Sequence, residues 1–170
     1  LTAWEPDRYG SLQHPGDDWS YDIFTQAARA VGPNRSGDVD PMGGLPVRRV
    51  IAAGASQSAG RLTTYINAVH PLVQVFDGFL PTITSGFGTP VQAAAEPAAT
   101  NPRDRAGVRF RDDLTTPVFL LNSEGEASGY HANRRADDDY FRFWEVAGTP
   151  HDSRTAPGPA EGGPGRILNE

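Results

Sequence analysis

The chain has 170 residues, with 15 basic and 21 acidic side chains and a formal charge of −6 at pH 7. That balance points away from a nucleic-acid partner, and the lack of cysteine excludes disulfides and thiolate metal sites. No apolar run approaches the roughly 20 residues a membrane-spanning helix needs. All the basic residues are Arg and none is Lys, which we read as coding bias rather than chemistry. A chain of this length fits one domain that buries about 70% of its unfolded surface. It opens on Leu1, so no targeting signal is read from its start.

Residues 1–19 are polar and rich in turn formers. A helix is expected over Ser20 to Val31, with Ile23, Phe24, Ala27, Ala30 and Val31 on one apolar face and Gly32-Pro33 as its stop. A loop covers residues 33–47, and a first strand is predicted from Arg48 to Ala53. A second helix starts just after Ser56: Leu62, Tyr65, Ile66 and Val69 repeat at helical spacing, and Pro71 is expected to end it. Further strands are predicted at Val73 to Leu80, at Pro117 to Asn122 and at Phe141 to Val146.

The unbroken apolar run at 117–122 suggests burial on both faces. Phe143 and Trp144 read as core. Residues 84–115 form a long Gly/Ala/Pro/Arg loop with a short helix near 91–96, and 128–139 is helical or irregular. Residues 1–152 then make the domain, and 153–170 a Pro/Gly-rich disordered tail. Strands alternating with helical segments imply right-handed crossovers and a parallel sheet, so the fold class is α/β.

The stretch "RVIAAGASQSAGRL" carries the chemistry. A serine hydroxyl is a weak nucleophile until a base accepts its proton and its position is fixed. A sharp strand-to-helix turn fixes it, but only if the residues two before and two after are tiny, which is the physical content of G-x-S-x-G. Here that pattern reads Gly54-Ala55-Ser56-Gln57-Ser58, with Ser58 in the second glycine's place. Ser56 is the expected nucleophile. Ser58 is less suited, lying within the helix's first turn. The amide of Gln57, at a helix N-terminus, is the expected oxyanion donor. Gly60 is expected to let the helix approach the sheet. The plainer reading is a tight connection with a capping serine.

An acid and then a histidine should follow in chain order. "TPVFLLNSEGEASG" offers Glu124 and Glu126 just past a strand, and "FRFWEVAGTPHDS" offers His151, five residues after Val146. Glu126 has the better spacing, nine residues after Pro117; Glu124 is nearer the strand end and serves if the turn is tight. The plainer reading of all three is solvated loop residues. Ser56 would attack an ester carbonyl, with His151 as base and then acid, and a glutamate would stabilise the imidazolium.

With these segments in place the chain resembles an α/β-hydrolase domain family of bacterial esterases assigned by sequence. The matching stretches are "DRYGSLQHPGDDWSYDIFTQAARAV", "RRVIAAGASQSAGRLTTYINAVHPL", "VFDGFLP", "TPVFLLNSEGE" and "FRFWEVAGTPHD", covering most of residues 6–152. The resemblance implies a serine hydrolase with Ser56 and His151 in its triad and an acid in the Glu124–Glu126 turn. It also implies a sheet of about eight strands, of which this chain supplies the last four and the helix before the elbow. A missing segment or a partner chain would complete the sheet, since the first strand here is left with an unpaired edge.

Other residues were weighed against these. His14 and His70 fit a turn and a helix end better than a metal pair. His131 is a candidate substitute base but reads first as an exposed loop residue; Asp77 is an alternative acid, but it lies inside or just before the second strand, whereas such an acid would have to follow it. "RDRAGVRFR" is offset by Asp104, Asp112 and Asp113 and reads as a solvated face. Phe87, Val91 and Phe110 would let the 84–115 loop form a lid or acyl-pocket wall, or else a plain surface excursion. The leading expectation is an esterase acting on a small-molecule ester without a cofactor. An acyltransferase would use the same residues, and a non-catalytic α/β module is the reading from a different class.

Overall fold

The computed structural model describes residues 2–91 and 107–151. Helix α1 (Pro6–Tyr9) and a 3-10 turn (Asp17–Trp19) lead into α2 (Ser20–Val31) and strand β1 (Ile51–Ala55). Helix α3 (Gln57–Thr64) runs on through a π turn (Tyr65–Val69) into α4 (His70–Val73). Then come β2 (Gly78–Thr82), β3 (Val118–Ser123), α5 (Glu124–Tyr130), a 3-10 turn (His131–Asn133) and β4 (Phe141–Val146). The four strands form one parallel sheet in the order β1-β2-β3-β4, flanked by helices. This is the α/β class that the alternating pattern implies.

The sequential strand order has a packing consequence. Each crossover steps in the same direction, and right-handed crossovers then all land on one face of the sheet. Register puts Ala52, Phe79, Val118 and Phe141 in one row across the strands, and all four are buried against Leu62, Tyr65, Ile66, Ala127 and Tyr130. Burying a side chain of the Phe or Leu type contributes roughly 1.5–3 kcal/mol. The opposite row stays open: Ile51 is 58% exposed and Trp144 63% exposed. Strand β3 therefore alternates between buried and half-buried positions, rather than being covered on both faces. Trp144 is not core. Its ring meets Phe119 edge-on, 5.1 Å between centroids. Phe143, on the helix side, is buried as expected.

Helix α2 has the expected bounds but a different inner face. Tyr21, Thr25 and Ala28 are buried, while Ile23 and Phe24 are exposed. The reason is its neighbour: Thr25 Oγ1 bonds the Tyr65 hydroxyl at 2.7 Å and the Tyr21 carbonyl at 2.8 Å. A threonine thus sits inside with its hydroxyl satisfied, and apolar side chains remain outside.

Pro71 does not end the second helical segment. The π turn just before it widens the backbone, so a residue without an N–H is accommodated. The helix stops instead at Gln74, which is left-handed at φ +46°. Strand β2 accordingly starts at Gly78 and not at Val73. The Asp77 carboxylate accepts the Val50 N–H at 2.8 Å and pairs with Arg49 at 2.7 Å. Those bonds hold it below the usual carboxylate range.

Within the 84–115 excursion, Phe110 is core, 5.5 Å from the Phe141 ring, so it is no pocket wall. Gly60 packs against the Phe87 ring of this excursion rather than against the sheet. Arg109 and Arg111 pair with Asp112 and Asp113 at an exposed surface. The short helix expected near 91–96 and the tail from 153 onward lie, except for exposed Val91, outside the described residues. No described helix is long and apolar enough to cross a membrane.

Candidate active site

The site forms at the C-terminal rim of the sheet, where β1, β3 and β4 each end in a turn. Strand β1 stops at Ala55, and α3 begins two residues later. Between them Ser56 has φ +55° and ψ −119°. A backbone of this kind in a residue with a Cβ costs on the order of 1–3 kcal/mol and persists only where surroundings impose it. Two contacts impose it here. The Ser56 N–H donates to the Thr82 carbonyl at 3.2 Å, and the Gly60 N–H donates to the Ser56 carbonyl at 3.2 Å. A Cβ on Gly54 would lie 2.8 Å from the Ser58 carbonyl oxygen. The turn is closed tightly enough that only glycine fits there.

Ser56 stands at the N-cap position of α3, yet its side chain makes no capping bond. Its hydroxyl lies 3.2 Å from His151 Nε2. The other ring nitrogen, Nδ1, lies 2.5 Å from Glu126 Oε1. Three segments remote in sequence thus meet in one relay. The imidazole is 51% exposed at its side chain and the Glu126 carboxylate 8%. Its second oxygen, Oε2, accepts a hydrogen bond from the Ser123 hydroxyl.

Glu124 faces elsewhere. Its Oε2 accepts the Gly148 N–H at 2.6 Å. Gly148 is left-handed at φ +74°, and with the Thr149 hydroxyl bonded to the Val146 carbonyl at 2.6 Å it shapes the bend that carries His151 to the rim. The two glutamates in the first turn of α5 therefore hold one loop at two points, one by its backbone and one by its ring.

Gln57, the first residue of α3, offers one of the amides that a helix cannot satisfy internally. Ser58 lies further along the same turn and lines a cavity of about 250 Å³ with Tyr21, Phe24, Ala53, Arg61 and Tyr65. His131 is exposed, 3.9 Å from Glu145. His14 accepts the Gly16 N–H within its own turn. His70 is 4% exposed, packs edge-on against the core ring of Phe79 and bonds Thr116 at 3.0 Å, and burial pushes its pKa down. Among the described residues no group of acidic and histidine side chains is arranged to hold a metal.

The residue that sequence reasoning passed over is Ser123. The spacing Ser123-Glu124-Gly125-Glu126 is that of a helix capping box, and that pattern was the available signal.

A serine on a strained strand-to-helix turn, facing a histidine after the last strand of a parallel sheet, defines a hydrolase-type α/β protein. Over residues 1–166 the chain matches the alpha/beta hydrolase domain family, and it belongs to that family. No curated protein and no solved structure matches it.

Proposed function

We propose that the chain is a carboxylic-ester hydrolase in which Ser56 is the nucleophile, His151 the general base and Glu126 the acid. The observation that carries this reading is the continuous relay from the Ser56 hydroxyl through both imidazole nitrogens to the buried Glu126 carboxylate, at 3.2 and 2.5 Å. Ser56 Oγ attacks the ester carbonyl carbon as its proton passes to His151 Nε2. The oxyanion forms beside the α3 N-terminus, where the Gln57 amide donates. Glu126 holds the Nδ1–H and stabilises the imidazolium. His151 then protonates the departing alcohol, leaving an acyl-serine that a water molecule cleaves by the same steps in reverse order.

A fluorophosphonate probe tests this directly. Covalent labelling of the wild-type chain and none in Ser56→Ala is expected, followed by turnover of short-chain p-nitrophenyl esters. A folded wild-type chain that takes no label would overturn the reading. Acyl transfer to an alcohol or thiol in place of water uses the same residues, and product analysis with an added acceptor separates it.

A non-catalytic α/β module is the second reading. The open sheet face bearing Ile51 and Trp144 favours it, as does the position of β1 at the sheet's edge. A further segment or a partner chain against that edge would complete the sheet. Absence of labelling in a folded chain is the result that would select it.

A further inference from the structure

We infer that Ser123 is a positioning residue, its buried hydroxyl holding the Glu126 carboxylate in the rotation that points Oε1 at His151; this rests on the triad reading above. Ser123 is the last residue of β3 and the N-cap of α5, and it is 5% exposed. In a capping box its hydroxyl oxygen would accept the Glu126 N–H, and the Glu126 carboxylate would turn back to the Ser123 N–H. Neither side-chain bond is made. No side-chain cap is present, the hydroxyl donates to Glu126 Oε2, and Oε1 goes to His151 Nδ1 at 2.5 Å.

The pattern that would normally fasten a helix end is thus turned outward onto a loop. A carboxylate rotates broadly about its last torsion. Held only at Oε1 by an imidazole that is itself half exposed, it would keep no fixed aim. A second bond at Oε2 from a rigid strand end removes that freedom. Among the described residues Glu126 has no ion pair other than His151, so no arginine does this work. Ser123 is also well placed for it, because its backbone is fixed in the β3–β4 register opposite Val146.

The chemical consequence is the tautomer of His151. The Ser56 hydroxyl needs a bare Nε2, so the proton must sit on Nδ1. A carboxylate aimed at Nδ1 selects that form; one that swings away does not. Ser123 therefore acts on the nucleophile at third hand, without touching the reacting atoms.

The test is nitrogen-15 NMR of the imidazoles in the full chain, with His151 assigned by its loss in His151→Gln. Wild type is expected to show His151 mainly as the Nδ1–H form. In Ser123→Ala that preference should be lost, with kcat on an ester falling by up to about 100-fold and KM little changed. Ser123→Thr, which returns a hydroxyl, should recover both signals. Should Ser123→Ala not fold, Ser123→Cys keeps the volume with a weak donor and carries the same comparison. A His151 tautomer in the folded variant identical to wild type overturns the inference. That comparison needs no turnover, so a wild-type chain that takes no fluorophosphonate sinks the esterase reading by itself and leaves the Ser123 result legible.

Discussion

Glu124 and Glu126 lie two residues apart in one helical turn, so exchanging each for glutamine separates their roles with nearly identical chemistry. Glu126→Gln keeps the shape but offers His151 a neutral amide in place of a charge. The amide nitrogen can face Nδ1 and favour the wrong tautomer. The contact replaced is short, 2.5 Å, and its carboxylate is 8% exposed, so solvent does little to make up the loss. An equivalent change in a serine triad lowers kcat by about 10⁴, or about 5.4 kcal/mol at about 1.36 kcal/mol per decade. Glu124→Gln retains a carbonyl oxygen for the Gly148 N–H, and the side chain stands in an exposed turn. Losing the charge from such a bond costs of order 1 kcal/mol, about fivefold at most in rate if all of it reaches the His151 loop. The assay is the second-order rate of fluorophosphonate labelling at Ser56, read by mass spectrometry beside a thermal melt. A Glu124→Gln rate that falls as far as the Glu126→Gln rate, or further, would refute the assignment of the acid.

Three more perturbations read the turn and the core. Ser56→Gly and Ser56→Ala both remove the hydroxyl, but only alanine keeps a Cβ at φ +55°; calorimetry should find the glycine variant more stable by about 1 kcal/mol, or about 2–4 °C in Tm, with neither variant labelled. Gly54→Ala places a methyl 2.8 Å from the Ser58 carbonyl, and overpacking of that kind costs about 1–3 kcal/mol; a lowered melting temperature together with slower labelling is expected, and an unchanged melt contradicts the tight turn. His70 titrates below its ordinary range because it is buried. The unfolded chain therefore takes the proton first as pH falls, and stability present above about pH 6.5 is lost below it. Urea melts between about pH 7.5 and 5 should show that slope, and His70→Gln should flatten it.

The strained turn at Ser56 was legible in the sequence because its constraints are local. A strained serine needs small neighbours at fixed spacing, and Gly54, Ala55 and Ser58 announce that before any contact is known. Helix α2 and strand β4 were legible for the same kind of reason: Gly32-Pro33 stops the one, and alternating Phe141 and Phe143 mark the other. Each depends on forces acting within a few residues.

What escaped depends on neighbours that sequence does not name. Both the 23/24/27 stripe and Tyr21-Thr25-Ala28 have helical spacing, and tertiary packing decides which turns inward: Thr25 bonds the Tyr65 hydroxyl, while Phe24 meets the Tyr65 ring from the exposed margin. Trp144 lies out because the described helices pack on the other face of the sheet, a property of strand order rather than of tryptophan. Pro71 stays within a helical segment because a π turn precedes it. The glutamate pair shows the same limit most sharply. Composition and spacing bring both carboxylates to the rim, but which one meets His151 is decided by where the Ser123 hydroxyl points and where the Gly148 bend falls. Those are set by packing across the strands; the nine-residue spacing from Pro117 favoured Glu126, but it does not say what holds the carboxylate in place.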